Sequence, residues 1–172
     1  MIEFFVPGSP VAAGSKRAFP IAGTDGRTHV SVTDASGPKG KEWRAAIRLA
    51  ASQALGRRGP LAGALRVSLW FYVKRPRSHV TKHGDLRRSA PHHPTTRPDV
   101  LKLARAVEDA CTSVLWTDDA QIVDELIHKL YADPPTPDDQ GMRVGVQVFV
   151  TELVGHAPRV PDRDGDPVTR TA

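Results

Sequence analysis

The chain has 172 residues, 40% hydrophobic and 25% charged, with 24 Lys and Arg against 19 Asp and Glu. That length suits one compact domain, and the net charge of +5 favours a polyanionic partner such as nucleic acid. The lone Cys111 excludes an internal disulfide and a thiol-rich zinc site, and no apolar run approaches the roughly 18 residues of a membrane span. The N-terminus has no basic stretch leading into a long apolar one, so a reducing cytoplasm is the expected location.

Ile2 to Val6 reads as a short strand stopped by Pro7-Gly8 and Pro10. Gly14-Ser15-Lys16-Arg17 reads as a flexible loop with two adjacent cations, and Thr28, Val30 and Val32 alternate as in a half-buried strand. After Gly37-Pro38, Trp43, Ile47, Ala50 and Ala54 recur at helical spacing, with Gly56 as a stop. Leu65, Val67, Leu69, Phe71 and Val73 alternate with polar or amphipathic residues in the clearest strand of the chain. From Lys74 to Pro98 the sequence turns basic and proline-rich and reads as a long loop without structure of its own.

A second helix is predicted from Val100 to Val114, because Val100, Leu103, Ala104, Val107, Cys111 and Val114 form one apolar stripe. The next segment, Asp119 to Tyr131, is ambiguous: Ile122, Val123, Leu126, Ile127 and Leu130 match a helix better than a strand. Val144, Val146, Val148 and Val150 then alternate as a final strand. The Pro-, Asp- and Arg-rich stretch over 154–172 reads as a disordered tail behind a domain spanning 1–153.

Acids bracket the second helix, with Asp99 before it and Asp118-Asp119 beyond it. Carboxylates that converge on a divalent ion can activate water and neutralise phosphate charge. The same residues also have plain structural readings. Asp99 is a natural N-cap, Asp118-Asp119 a turn signal, and Arg105 an ion-pair partner for Asp109 one turn on. His92-His93 lack further zinc ligands at useful spacing, and Asp162 to Asp166 lack the glutamate that closes a calcium loop. Pro98-Asp99 opens no acid-x-lysine nuclease core, since Glu125 is followed by Leu126-Ile127.

The stretch Thr95-Thr96-Arg97-Pro98-Asp99 through Asp109-Ala110, with Trp116-Thr117-Asp118-Asp119-Ala120-Gln121-Ile122-Val123 beyond, resembles the RusA family of Holliday-junction resolvases. The Asp-Asp-Ala-Gln-Ile-Val block and its distance from Pro98-Asp99 are the most specific features, and the likeness extends over most of 1–153. It implies an α+β domain, with a mixed sheet packed by two main helices, that forms a homodimer and binds magnesium, with manganese an alternative. It further implies symmetric cutting of branched DNA.

Carried over by position, Asp99, Asp118 and Asp119 are the metal-binding acids, and Arg105 stands where many members have a catalytic lysine. The resemblance also makes Ala120 to Tyr131 a strand, against its helical periodicity. One position departs: Leu101 stands where the family usually has a second aspartate, and leucine cannot ligate a metal. Glu108, two turns along the same flank, is a further metal candidate, against the plain reading of a solvated Glu108 paired with Arg105 or Lys102. Leu101 leaves open a scaffold that binds branched DNA without cutting it. Lys16, Arg17, Arg75, Arg77, Arg87, Arg88 and Arg97 are the expected phosphate contacts.

Overall fold

The computed structural model describes residues 1–14, 16–22, 27–132 and 143–153, with backbone alone at 16, 17, 22 and 31–34. The expected tail, 154–172, lies outside the described residues.

Among the described residues six strands and two α-helices make the fold: β1 (Ile2–Pro7), β2 (Lys16–Ala22), β3 (Thr28–Asp34), α1 (Gly37–Leu55), β4 (Ala64–Lys74), α2 (Val100–Cys111), β5 (Ile122–Ala132) and β6 (Gly145–Leu153). Four strands form a mixed sheet in the order β1-β6-β4-β5, while β2 and β3 pair as a separate hairpin. β6 runs antiparallel to both β1 and β4, and β4 and β5 are parallel. Parallel neighbours require a crossover, and α2 supplies it. This topology sets the site, because the crossover helix begins at the carboxyl ends of β4 and β5 and ends where β5 starts.

The core lies between the sheet and the helices. Alternation in β4 sends Leu65, Val67, Leu69 and Phe71 into it, opposite Val146, Val148 and Val150 of β6 and Ile2, Phe4 and Val6 of β1. α1 starts with a proline in its first turn, buries Trp43, Ile47, Ala51 and Leu55, and ends at Gly56 with φ 66°. Prolines suit that position because the missing N–H would be unpaired there anyway. α2 buries Leu103, Ala104, Ala106, Val107, Ala110 and Cys111 against α1 and β5.

The structure corrects several expectations. Lys16 and Arg17 belong to β2, paired with Asp34 and Thr33, and not to a loop. β3 is not half-buried where its side chains are described: Val30 is 68% exposed. α2 stops three residues before Val114, which lies in a turn where Ser113 takes φ 66°. The segment after it is a strand despite its helical periodicity, because β4 offers a parallel edge over its whole length. The basic stretch after β4 has structure of its own. It contains a 3-10 turn at Arg77–His79, a bridge between Val80 and Leu86, and a turn closed by Thr81 N–H donating to Asp85 at 2.7 Å. No helix is long and apolar enough to cross a membrane among the described residues.

Candidate active site

α2 divides the predicted acids between its two ends. Asp99 occupies the N-cap position in extended backbone, yet its side chain accepts no hydrogen bond from the first turn. Aspartate at that position ordinarily satisfies one of those amides. Here the carboxylate is exposed, with Lys102 Nζ at 3.8 Å. The segment that delivers it is clamped from β5, where Lys129 Nζ donates to the carbonyls of Thr96 at 2.8 Å and Pro98 at 2.9 Å.

The other end is built from turns. Asp118 caps a 3-10 turn, accepting from Ala120 N–H at 2.8 Å, while Gln121 Oε1 accepts from Asp118 N–H at 3.0 Å. The Gln121 amide donates to Leu61 and Gly63 carbonyls at 2.9 and 3.1 Å, tying this turn to the approach of β4. Asp119 Oδ1 accepts from Trp116 Nε1 at 2.8 Å and from the Thr112 hydroxyl. Trp116 is fully buried, so the core orients that carboxylate. Asp118 and Asp119 precede β5, so strand alternation does not assign them to opposite faces.

Glu108 does not pair with Lys102 or Arg105. Burial pushes its carboxyl up to about 8, and a hydrogen bond and the charge of Glu125 add to this, followed by Asp119 and Asp109. Two carboxyls that share a proton, with a third charge in reach, raise one another's proton affinity. Sequence reasoning passed over Glu125 while seeking an acid-x-lysine triplet. Strand alternation held the signal, because it places Glu125 on the same face as Ile127 and Lys129, toward α2. Arg105 is exposed one turn before Glu108. Burial, then the charges of Asp119 and Glu108, raises the Cys111 thiol well above its ordinary range, which makes it an unreactive core residue.

A helix of 12 residues is about 18 Å long. Within one chain, then, Asp99 stands about a helix length from Asp119, which bonds Thr112 at the far end, and about 13 Å along the axis from Glu108, so they do not converge on one ion. Among the described residues, no three His, Cys, Asp or Glu side chains form a metal cage. The donor chemistry nevertheless fits magnesium, which commonly takes one or two carboxylates and fills its remaining positions with water and phosphate oxygens. Glu108 and Glu125 are such a pair, with Asp119 beside them.

The expected DNA-contact residues are split in role. Arg75 Nη1 donates to Pro91 O at 2.9 Å and its guanidinium lies 4.1 Å over the Tyr131 ring, while Arg87 Nε donates to Val80 O at 3.0 Å. These two brace the loop as well as charging it. Arg77, Arg88 and Arg97 are exposed, and the side chains of Lys16 and Arg17 lie outside the described set. Sequence reasoning took Lys74 only as the start of the basic stretch and missed Lys129; both line a cavity with Arg97 at the start of α2.

The family model described as endodeoxyribonuclease RusA matches residues 7–137. An uncharacterized protein of Bacillus subtilis (strain 168), YqaN, is 29% identical over 139 residues, which span 78% of this chain and 90% of that protein.

Proposed function

This chain belongs to the RusA family of endodeoxyribonucleases, and on that premise we propose that it is a magnesium-dependent homodimer that cuts Holliday junctions or related branched DNA. The observation that carries the reading is the division of carboxylates between the ends of α2. Neither end has a full ligand set, and a second copy is the economical way to complete both. The surface formed by α2 and β5 suits such pairing. Leu101 is 70% exposed near one end and Val123 63% exposed near the other. Lys102 stands beside Asp99 at the first end, and Glu108, Glu125 and Asp119 form the second. Two copies related by a two-fold axis across α2 would set apolar on apolar and cation on anion at both ends.

In that assembly Asp99 of one protomer and Asp119, with the Glu108–Glu125 pair, of the other would hold the ion. A bound magnesium supplies charge neutralisation at the phosphate and an activated water. The protein's own residues do the rest. Thr112 and Trp116 aim Asp119, Lys129 fixes the segment before Asp99, and the exposed cations neutralise neighbouring phosphates. Two sites related by symmetry would match the paired, opposed strands of a four-way junction.

The test is complementation between inactive chains on a labelled four-way junction with magnesium. Asp99→Asn and Asp119→Asn should each abolish nicking. Mixed as refolded subunits, they should recover roughly a quarter of wild-type nicking, because half the dimers are mixed and each of those has one intact site. Active single variants, or a mixture as inactive as its parts, would defeat the composite site. A second reading is favoured by Leu101: a scaffold without an acid there binds the junction and does not cut it. Wild-type binding without nicking at any magnesium or manganese concentration would establish that reading instead.

A further inference from the structure

We propose that the cavity at the carboxyl ends of β4 and β5 is a subsite for a DNA backbone phosphate, held by Lys74, Arg97 and Lys129. This rests on the reading as a DNA-processing enzyme and names a contact within it.

The cavity has a volume of about 240 Å³; Lys74, Thr96, Arg97, Lys129 and Tyr131 are among its lining residues, and no carboxylate is. Three cations from three separate segments meet there: the end of β4, the segment before α2, and β5. Like charges gathered in a cavity whose lining has no carboxylate favour an anionic ligand. Lysine has three N–H donors. Lys129 spends two on the Thr96 and Pro98 carbonyls, 2.8 and 2.9 Å away, which leaves one donor and the whole positive charge. Those carbonyls flank Arg97, so the same clamp that holds Asp99 also holds the Arg97 backbone at the cavity wall.

Topology points the same way. The carboxyl ends of parallel strands, where a crossover helix begins, are a recurrent ligand position. The first turn of α2 also has no side-chain cap from Asp99, and uncapped first-turn amides favour anions. The cavity shares Pro10, Arg97 and Pro98 with a larger one of about 580 Å³ that reaches Asp99 and Lys102. Two cavities that adjoin through these residues fit a phosphate within a strand, whose neighbouring phosphate passes Asp99, better than an isolated small anion.

The test is junction binding by the full chain without divalent metal, measured by anisotropy over a range of KCl concentrations. The variants are Lys74→Gln, Lys129→Gln and Lys129→Arg, with Lys41→Gln on α1 as control. Glutamine at 129 keeps N–H donors for the two carbonyls while removing the charge. Each pocket glutamine variant should weaken binding at every junction sequence and flatten the log–log salt slope by about 0.9. Lys129→Arg should restore the slope, and Lys41→Gln should leave it unchanged. Should Lys129→Gln unfold, the exposed Lys74 reads the same subsite.

Wild-type slopes in both glutamine variants would overturn the proposal, as would a wild-type chain that fails to bind junctions at low salt. Lys129→Gln that loses nicking but keeps the wild-type slope would reduce Lys129 to a structural clamp, and so also overturn it. Binding and slope changes without nicking by the wild type would sink the nuclease reading alone.

Discussion

The two ends of α2 both carry carboxylates and hold them in opposite surroundings. At its start, one exposed carboxylate, Asp99, stands among Lys102, Lys129 and Arg97, with Lys102 Nζ 3.8 Å from it. At its end, Glu108 is partly buried against Glu125 with Asp119 close by, and its carboxyl is pushed up to about 8. The first end is an anion-accepting surface carrying one acid. The second is an acidic cluster in which burial first, and then Glu125 and Asp119, raise the proton affinity of Glu108. The lesson is that charge type matters less than the company the backbone arranges. One helix gives each end what the other lacks.

The largest expected effect comes from removing either end's key acid. Asp99→Asn or Asp119→Asn should lower junction nicking by on the order of a thousandfold or more, with binding measured in parallel and retained. If one end alone proves dispensable, the two ends are not parts of one site. Next is the orientation of Asp119. Thr112→Val with Trp116→Phe removes both of its donors, and should cost about 10- to 100-fold in nicking rate or magnesium affinity. Full activity there would mean that Asp119 needs no aiming.

A smaller gain is expected from Leu101→Asp, which adds a carboxylate to the end that has one. The side chain is 70% exposed in the single chain, so the fold of one protomer should tolerate the change, while the pairing surface across α2 loses an apolar contact. Titration of nicking against magnesium should show tighter apparent metal affinity by about tenfold; an unchanged midpoint would place Leu101 outside the metal's reach.

The smallest effect concerns pH. The Glu108 carboxyl lies above its usual 4.5 in the folded chain. Its contribution to stability is therefore intact below the unfolded value and is lost as pH rises from there through about 8. Thermal melting of the metal-free wild type should fall between pH 5 and pH 9, by about 3 °C for each kcal/mol lost. Glu108→Gln should melt with little change across that window. Adding magnesium at pH 9 should recover part of the wild-type loss, and parallel melting curves for the two chains would remove Glu108 from the acidic cluster.

Local pattern made much of the framework legible. β4, β6 and the buried face of α2 follow from alternation and a 3.6-residue stripe, because burial of one face imposes its period on the sequence. Periodicity failed at β5. As the edge strand it leaves Val123 63% and Leu126 49% exposed, so its apolar residues do not report a single buried face. The resemblance to a family carried that assignment where physics of the isolated segment pointed elsewhere. The acids at 99, 118 and 119 were legible as a pattern, but their states were not. Asp99 sits at a cap position without capping, whereas Asp118 caps a turn.

The amino-acid order alone specified the elements that bury one face, the basic balance of the chain, and the acids flanking α2. Those features depend on neighbours within a turn or a strand pair. Three-dimensional packing was needed to show Glu125 against Glu108, Lys129 holding the approach to Asp99, and about a helix length between Asp99 and Asp119. Those pairings join residues brought close by the β4–α2–β5 crossover, and spacing along the chain carries no measure of that distance.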